Sequence, residues 1–496
     1  MNQLNPRRQS PLRNELAFYF VANILPMGAS VVGMAWVLRL VPPTAFGVFN
    51  LVAATASIAA TGAVHWLCQW ILRYGAQFVA PETRSAHWTV LWRGTAAALG
   101  LLAVAALLVT VLRPSWAAAV GGSLLLCVTL ATQGILITVL QGAGRARQYT
   151  IVLTVSTLLR WICTILLCYL WKGSASLWWT LLWGQFIGQV VATALALGSL
   201  RGQVSFRLFG PNQRPLELQA LSYGAPFLVW AVAMQLLNVA DRYIIQGFAG
   251  IQQVGIYSAI YNLSNASVMV LTNPVLLTFA PHIFQRAGMA SSLTSNDDVR
   301  RLTESLLQLL LIIGAPLLSW SALLHRELMT IVLGPQYAGA TVVFPIVVCG
   351  ILLWQLAQIL QKGFEAAAQT RALGSSIASA VGVNVLLNFL MVPRLGIVGA
   401  ALATVGAYAW YACIISLRVA KFGRPHIAFR SIANVLLATI LSSAVLALTS
   451  RFGADLWARA AACVVCFGFY CGVLLLLKES ILTAQLRGVQ RALGAR

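Results

Sequence analysis

The sequence is poor in charge, and poorest in acid: 9% of its 496 residues are charged, with 11 Asp and Glu against 33 Lys and Arg. That scarcity excludes an ordinary soluble globule, because 59% of the chain is hydrophobic and mean hydropathy is +0.83, leaving too little polar surface to cover such a core. A G-x-x-x-x-G-K-[ST] phosphate loop is absent, and no joint between apolar runs is long enough for an ATPase domain. Any work done by the chain therefore comes from an ion gradient or from the substrate's own gradient. A long outer loop carrying Arg and His is also missing, which argues against a membrane-embedded glycan polymerase or ligase, and no enzymatic activity is expected. The nine cysteines all fall inside apolar runs. Cys463 and Cys466, spaced like a metal or redox pair, read as buried small hydrophobes instead. No cofactor is expected beyond a coupling H⁺ or Na⁺.

What the chain does have is apolar runs of twenty residues or more, divided by short basic or Pro/Gly-containing joints. About fourteen runs reach the roughly twenty residues needed to cross a hydrocarbon core of ~30 Å at 1.5 Å per residue. The expected class is an all-α polytopic membrane protein. Alternate joints, counted from the N-terminus with Arg7, Arg8 and Arg13, collect about 24 of the 33 basic residues. The positive-inside rule then places both termini in the cytoplasm. Most of the net charge of +22 is thus a topology signal facing anionic headgroups. No basic face with interleaved aromatics stands apart, so no nucleic-acid partner is expected.

Internal repetition is visible. TAFGVFNLV at 44–52 is echoed by QQVGIYSAI at 252–260, and LQGAGRARQYT at 140–150 by LQKGFEAAAQTRAL at 360–373. These spacings of about 208 to 224 residues imply two parallel six-span repeats related by an axis along the membrane normal. The expected divisions are a first six-helix bundle over 1–200, a linker over 201–216, a second bundle over 217–420, and two further helices with a basic tail over 421–496. Twin bundles meeting at the midplane suit an alternating-access carrier.

Two segments carry a resemblance. YGAPFLVWAVAMQLLNVADRYIIQGFAGIQQVGIYSAIYNL (223–263) and NVLLNFLMVPRLGIVGAALAT (384–404), with AFGVFNLV, resemble the polysaccharide flippases of the multidrug/oligosaccharidyl-lipid/polysaccharide exporter superfamily. The resemblance implies two six-helix bundles around a central cavity. It also implies a flippase of the bacterial inner membrane that carries undecaprenyl-pyrophosphate-linked oligosaccharide between leaflets, in O-antigen or exopolysaccharide assembly. Its implied partners are the lipid-linked oligosaccharide, membrane lipids and the polysaccharide polymerase and export machinery. A multidrug/cation antiporter of the same fold and a peptidoglycan-precursor flippase remain alternatives. A pyrophosphate glycan cannot cross hydrocarbon, so its carrier needs a wet, cationic path.

Candidate residues for that path follow from charge placed where charge is costly. Arg160 sits in the middle of TVSTLLRWICTILLCYLW. An arginine at mid-span costs roughly 2.5 to 3.5 kcal/mol on the insertion scale, which the eleven Leu, Ile and Val of 151–171 can offset at ~0.3 to 0.6 each. Its helical neighbours Ser156, Thr157, Cys163 and Thr164 are small or polar, while Leu158, Ile162, Ile165 and Leu166 fill the other side, so it faces protein or water. Asn384 and Asn388 occupy a comparable depth in the second repeat. The alternative for all three is interhelical hydrogen bonding that pins a bundle.

Asp241 is the carboxylate placed well inside a span and the candidate for ion coupling, with Arg39 or Arg326 as an outward gate partner; adjacent Arg242 could instead simply neutralise it. His65 and His282, each followed by a basic residue, suit a pyrophosphate entrance or, alternatively, ordinary helix-end positions. Gly184 and Gly188 read as a close-packing pair.

Overall fold

A computed structural model describes residues 9–171, 177–205, 213–289, 297–366, 370–420, 425–449 and 456–479, excepting the side chains of 9–24, 274–289, 297–299, 338, 363–366, 370–372 and 456–460. Among the described residues there is no β-strand, and thirteen α-helices follow one another. They are α1 (Gln9–Leu40), α2 (Pro43–Tyr74), α3 (Arg84–Leu112), α4 (Ala117–Gly142), α5 (Ala146–Leu170), α6 (Trp178–Ser199), α7 (Arg214–Ala249), α8 (Ile251–Met289), α9 (Asp297–Val332), α10 (Val343–Ala366), α11 (Thr370–Val419), α12 (Phe429–Thr449) and α13 (Leu456–Leu476). Helices are the expected outcome, since hydrocarbon offers no partner to a backbone that does not bond within its own segment. Eleven segments of the described residues are long and apolar enough to cross a membrane.

The count differs from fourteen separate spans in one instructive place. The expected spans 370–392 and 396–418 form a single 50-residue element, α11, interrupted by Gly396 at φ 57°, ψ −136°. An unbroken helix of that length would reach about 75 Å, more than twice the hydrocarbon thickness. Pro393 lacks an amide to donate and Gly396 alone tolerates the positive φ, so the pair marks where the chain leaves helical geometry.

The chain divides into two compact units, Met1–Ala259 and Ile260–Arg496. In the first, α2 is the hub, packed on α4 and α7, while α5 packs on α1 and α6. Its core gathers Leu67, Trp70, Ile71, Phe78, Trp88 and Leu91, with the Trp70 ring stacked 5.3 Å from the His87 ring. Ser123 of α4 donates to the Val52 carbonyl at 3.2 Å, tying α4 to α2.

In the second unit α10 packs on α11 and α9. The α12–α13 pair lies against α9 through Val435, Ala438, Tyr470 and Leu474 around Ile312. The buried Glu479 carboxylate fastens this pair, accepting from Ser431 at 2.5 Å, from Asn434 at 3.1 Å and from Gln308. Cys463 and Cys466 are packed with Leu324 and Leu446, as small hydrophobes would be.

Candidate functional site

Three polar levels interrupt the apolar interior of the first unit. The first lies where the α1–α2 and α7–α8 joints come together. Gly47 of α2 and Gly255 of α8 approach so closely that a Cβ on either would lie 3.0 Å from the other's amide nitrogen. The Gly47 Cβ would also enter the Ile251 carbonyl oxygen, and the Gly255 Cβ the Pro43 carbonyl oxygen. Residues 43 and 251, like 47 and 255, differ by 208, so the contact is reciprocal in the manner of a twofold interface. The echo between TAFGVFNLV and QQVGIYSAI is therefore a physical contact, with the glycines on its axis.

Beside this seam sits Asp241, 2% exposed. Its Oδ2 accepts from the Tyr257 hydroxyl at 2.5 Å and its Oδ1 from the Arg242 amide at 2.8 Å. Arg242 is buried next to it, so the carboxylate has a cation at hand from its own helix. The next residue, Tyr243, bonds Thr55 of α2 at 2.8 Å, hydroxyl to hydroxyl. Arg39 is exposed in the last turn of α1, and Arg326 is exposed on α9 in the second unit. The partners described for Asp241 are Tyr257 and Arg242.

The second level is Arg160, at mid-length of α5. The close-packing reading of the glycine pair explains its setting: on α6, a Cβ at Gly188 would lie 2.8 Å from the Arg160 Cβ, and one at Gly184 would enter Thr164. With the helices this near, the guanidinium extends along the seam. Its Nη1 donates to Gln185 Oε1 and its Nη2 to Ser30 Oγ on α1, both at 3.2 Å. The plane lies 4.9 Å from the Trp161 ring, a cation–π distance. Nε is buried without a hydrogen-bond partner. Ser156 and Thr164 on the same face are buried, while Leu158, Ile162 and Leu166 are exposed, as the sequence spacing requires. The guanidinium is held among protein groups, with donors remaining for an anion.

The third level lies toward the opposite end of α2, where His65, Gln69 and Arg73 recur at four-residue intervals along one helix face. The Gln69 amide donates to His65 Nε2 at 3.2 Å. Arg73 is exposed and lies 4.9 Å from the Tyr223 ring of α7. Gln219 of α7 donates to the Tyr74 hydroxyl at 3.2 Å, and Arg93 pairs with Glu217 at 3.2 Å. An exposed guanidinium on an aromatic shelf, with an imidazole two turns away, is suited to receiving an anionic headgroup. The His282 side chain lies outside the described residues.

The structure brings together within each level some partners that sequence reasoning missed: Gln185 and Ser30 at Arg160, Tyr257 at Asp241, and Gln69 and Tyr223 in the α2 stripe. The stripe's spacing was a readable signal; the cross-helix partners had none. Asn384 and Asn388 are both 0% exposed in the second unit, Asn388 Nδ2 donating to the Asn384 carbonyl at 2.8 Å. Asn384 Nδ2 and Asn388 Oδ1 are left without partners, so the pair is inside the helix packing rather than on an open surface.

Comparisons with known proteins agree on the class. Residues 12–287 match the family described as "Polysaccharide biosynthesis protein". No curated protein sequence matches the chain. Among solved structures, the fold is similar to the lipid II flippase MurJ in an inward closed conformation, with a TM-score of 0.67 at 12% identity over 95% of this chain and 98% of that one. It is also similar to a multidrug resistance MATE family transporter of the MOP superfamily, inward-facing (TM-score 0.54, 13% identity, 82% of this chain and 98% of that one) and outward-facing (0.52, 13%, 83% and 96%). At such identities these likenesses establish the fold.

Proposed function

The chain belongs to the polysaccharide biosynthesis protein family, and from that premise we propose that it is a flippase for an undecaprenyl-pyrophosphate-linked oligosaccharide. In this reading the repeats at 1–200 and 217–420 alternate access to the two leaflets of a bacterial inner membrane, and both termini are cytoplasmic. The α2 stripe then faces the cytoplasmic side and the glycine seam the outer side.

The observation that carries the reading is Arg160, a guanidinium at mid-span held off lipid by Gln185 and Ser30 with donors to spare. Together with Arg73 it supplies positive groups at two depths of one bundle, which suits a phosphorylated sugar lipid. A cationic drug would be served by carboxylates, and among the described residues the first unit buries one, Asp241, already bonded to Tyr257. Deleting the gene is expected to leave lipid-linked repeat units on the inner leaflet while surface polysaccharide disappears. Build-up of peptidoglycan precursor instead would assign the chain the substrate named for its MurJ-like neighbour.

Asp241 is the proposed coupling group for H⁺ or Na⁺. Asp241→Asn keeps a carbonyl oxygen able to accept from Tyr257 but removes the charge. It also leaves buried Arg242 without its neighbouring counter-charge, so folded yield is measured beside export, and export per folded molecule is expected to fall by at least about tenfold, or ~1.4 kcal/mol. Undiminished gradient-driven export in proteoliposomes would make Asp241 a structural partner of Tyr257 alone.

A further inference from the structure

The orphan nitrogen of Arg160 has a neighbour in the same condition. Trp161 Nε1 is buried and without a hydrogen-bond partner, as Arg160 Nε is. The two side chains lie together, the guanidinium carbon 4.9 Å from the centre of the indole ring. The indole is held where it is, because Gly33 of α1 packs so closely that a Cβ there would enter the ring. Both atoms are donors, and neither can accept.

A buried donor left without an acceptor costs free energy. A phenyl ring would give the guanidinium a similar face and pack against Gly33 without that cost, so within the fold the indole N–H returns nothing. Trp70 Nε1 is unpartnered too, but its ring stacks on His87. Among the described tryptophans, Trp161 alone lies against a guanidinium, and that guanidinium has an orphan nitrogen of its own.

The missing acceptor is not supplied by the surrounding helices. Neither α5, nor α6, nor residues 25–40 of α1 carry an Asp or Glu. Ser30 Oγ already donates to the Pro26 carbonyl at 2.7 Å while accepting from Arg160, and Gln185 Oε1 is taken by Nη1. Two adjacent N–H groups beside a fixed positive charge suit an anionic oxygen, and a phosphoryl group offers several.

We propose that the Trp161 indole N–H and Arg160 Nε together bind a phosphoryl oxygen of the carried lipid, which makes Trp161 a substrate-binding residue. The assignment rests on the flippase reading above and deepens it. In this state of the molecule α1 covers the pair through Ser30 and Gly33, so the donors come into reach as α1 separates from α5.

The test titrates the full chain in detergent with polyprenyl pyrophosphate and, separately, with uncharged polyprenol. Trp161→Phe keeps a ring and removes the N–H. It is expected to weaken pyrophosphate binding at least about tenfold, with polyprenol binding unchanged and the unfolding temperature unchanged or raised. Trp36→Phe is the control: its N–H is spent on the Tyr169 hydroxyl at 3.3 Å, so its loss should leave both affinities as they are. Undiminished pyrophosphate affinity in Trp161→Phe, or an equal loss for both ligands, overturns the assignment. So does displacement of the pyrophosphate by an equal concentration of phosphatidylglycerol, which would give the donors to an ordinary phospholipid headgroup. If Trp161→Phe fails to fold, benzothienylalanine at position 161, which matches the indole in shape with sulfur in place of N–H, decides by the same criteria. An unaltered chain that binds the pyrophosphate no better than polyprenol takes down the flippase reading and this assignment with it. Binding by the unaltered chain that Trp161→Phe does not diminish removes the assignment alone.

Discussion

Gly255→Ala is expected to abolish export, and Gly47→Ala to do the same. Each adds one methyl to a helix, where alanine is otherwise favoured over glycine by about 1 kcal/mol. The new methyl at 255 would enter the Pro43 carbonyl oxygen, and that at 47 the Ile251 carbonyl oxygen. Backbone atoms cannot rotate aside, so the two helix starts must separate. Overpacking of this kind typically costs ~1–3 kcal/mol even where side chains can yield. Gly247→Ala is the matched control, because a Cβ there meets nothing within 4 Å. The expected outcome is a detergent-solubilised Gly255→Ala protein with a lowered unfolding temperature and no surface polysaccharide, beside a Gly247→Ala protein of unchanged or raised stability and full export. Normal export by both 47 and 255 variants would show that the seam tolerates opening and is no part of the transport cycle. The reciprocity makes a sharper demand: the two single variants should fail alike, since each inserts its methyl into the same contact from opposite sides.

That contact also shows how far the sequence reached. Class was legible because it is written in composition, since hydrocarbon demands long apolar runs, and the 208-residue echo put Gly47 and Gly255 at corresponding positions without coordinates. The direction of Arg160 was legible for the same reason, since helical periodicity puts Ser156 and Thr164 on its face. The partners Gln185 and Ser30 were not, because they come from helices 25 and 130 residues away and nothing in α5 specifies them. The Asp241–Tyr257 bond was likewise hidden, although only sixteen residues separate the two, because it depends on how α8 folds back after Gly250. Asn384 and Asn388 read as a polar pair on one face, as they are. Whether that face meets an open surface or a packed interior is a tertiary fact, and both side chains prove to be fully buried. The break in α11 was expected as a joint between spans; the positive φ of Gly396 supplies its geometry.

Arg160→Leu separates a structural arginine from a working one, because the two roles predict opposite balances between stability and export. Removing the guanidinium relieves the membrane of a group costing roughly 2.5 to 3.5 kcal/mol at mid-span, so insertion and folding should be undiminished. Gln185 and Ser30 each lose a hydrogen-bond donor, a penalty of about 1–3 kcal/mol if the group left behind is buried, though both residues are only half-buried. The stability change is therefore small by cancellation. Export is expected to fall at least about 100-fold, some 2.7 kcal/mol, if the remaining donors engage pyrophosphate. Gln185→Ala breaks the clamp while leaving the charge in place and should cost export far less. Arg160→Lys, which keeps the charge but not the planar fork, should lie between them. If Arg160 were a clamp and nothing more, Gln185→Ala combined with Ser30→Ala would reproduce the Arg160→Leu phenotype, and lysine would rescue neither. Measuring export of lipid-linked repeat units together with detergent stability for these variants decides between the roles, since only an anion-binding arginine places its loss in transport while leaving the fold intact.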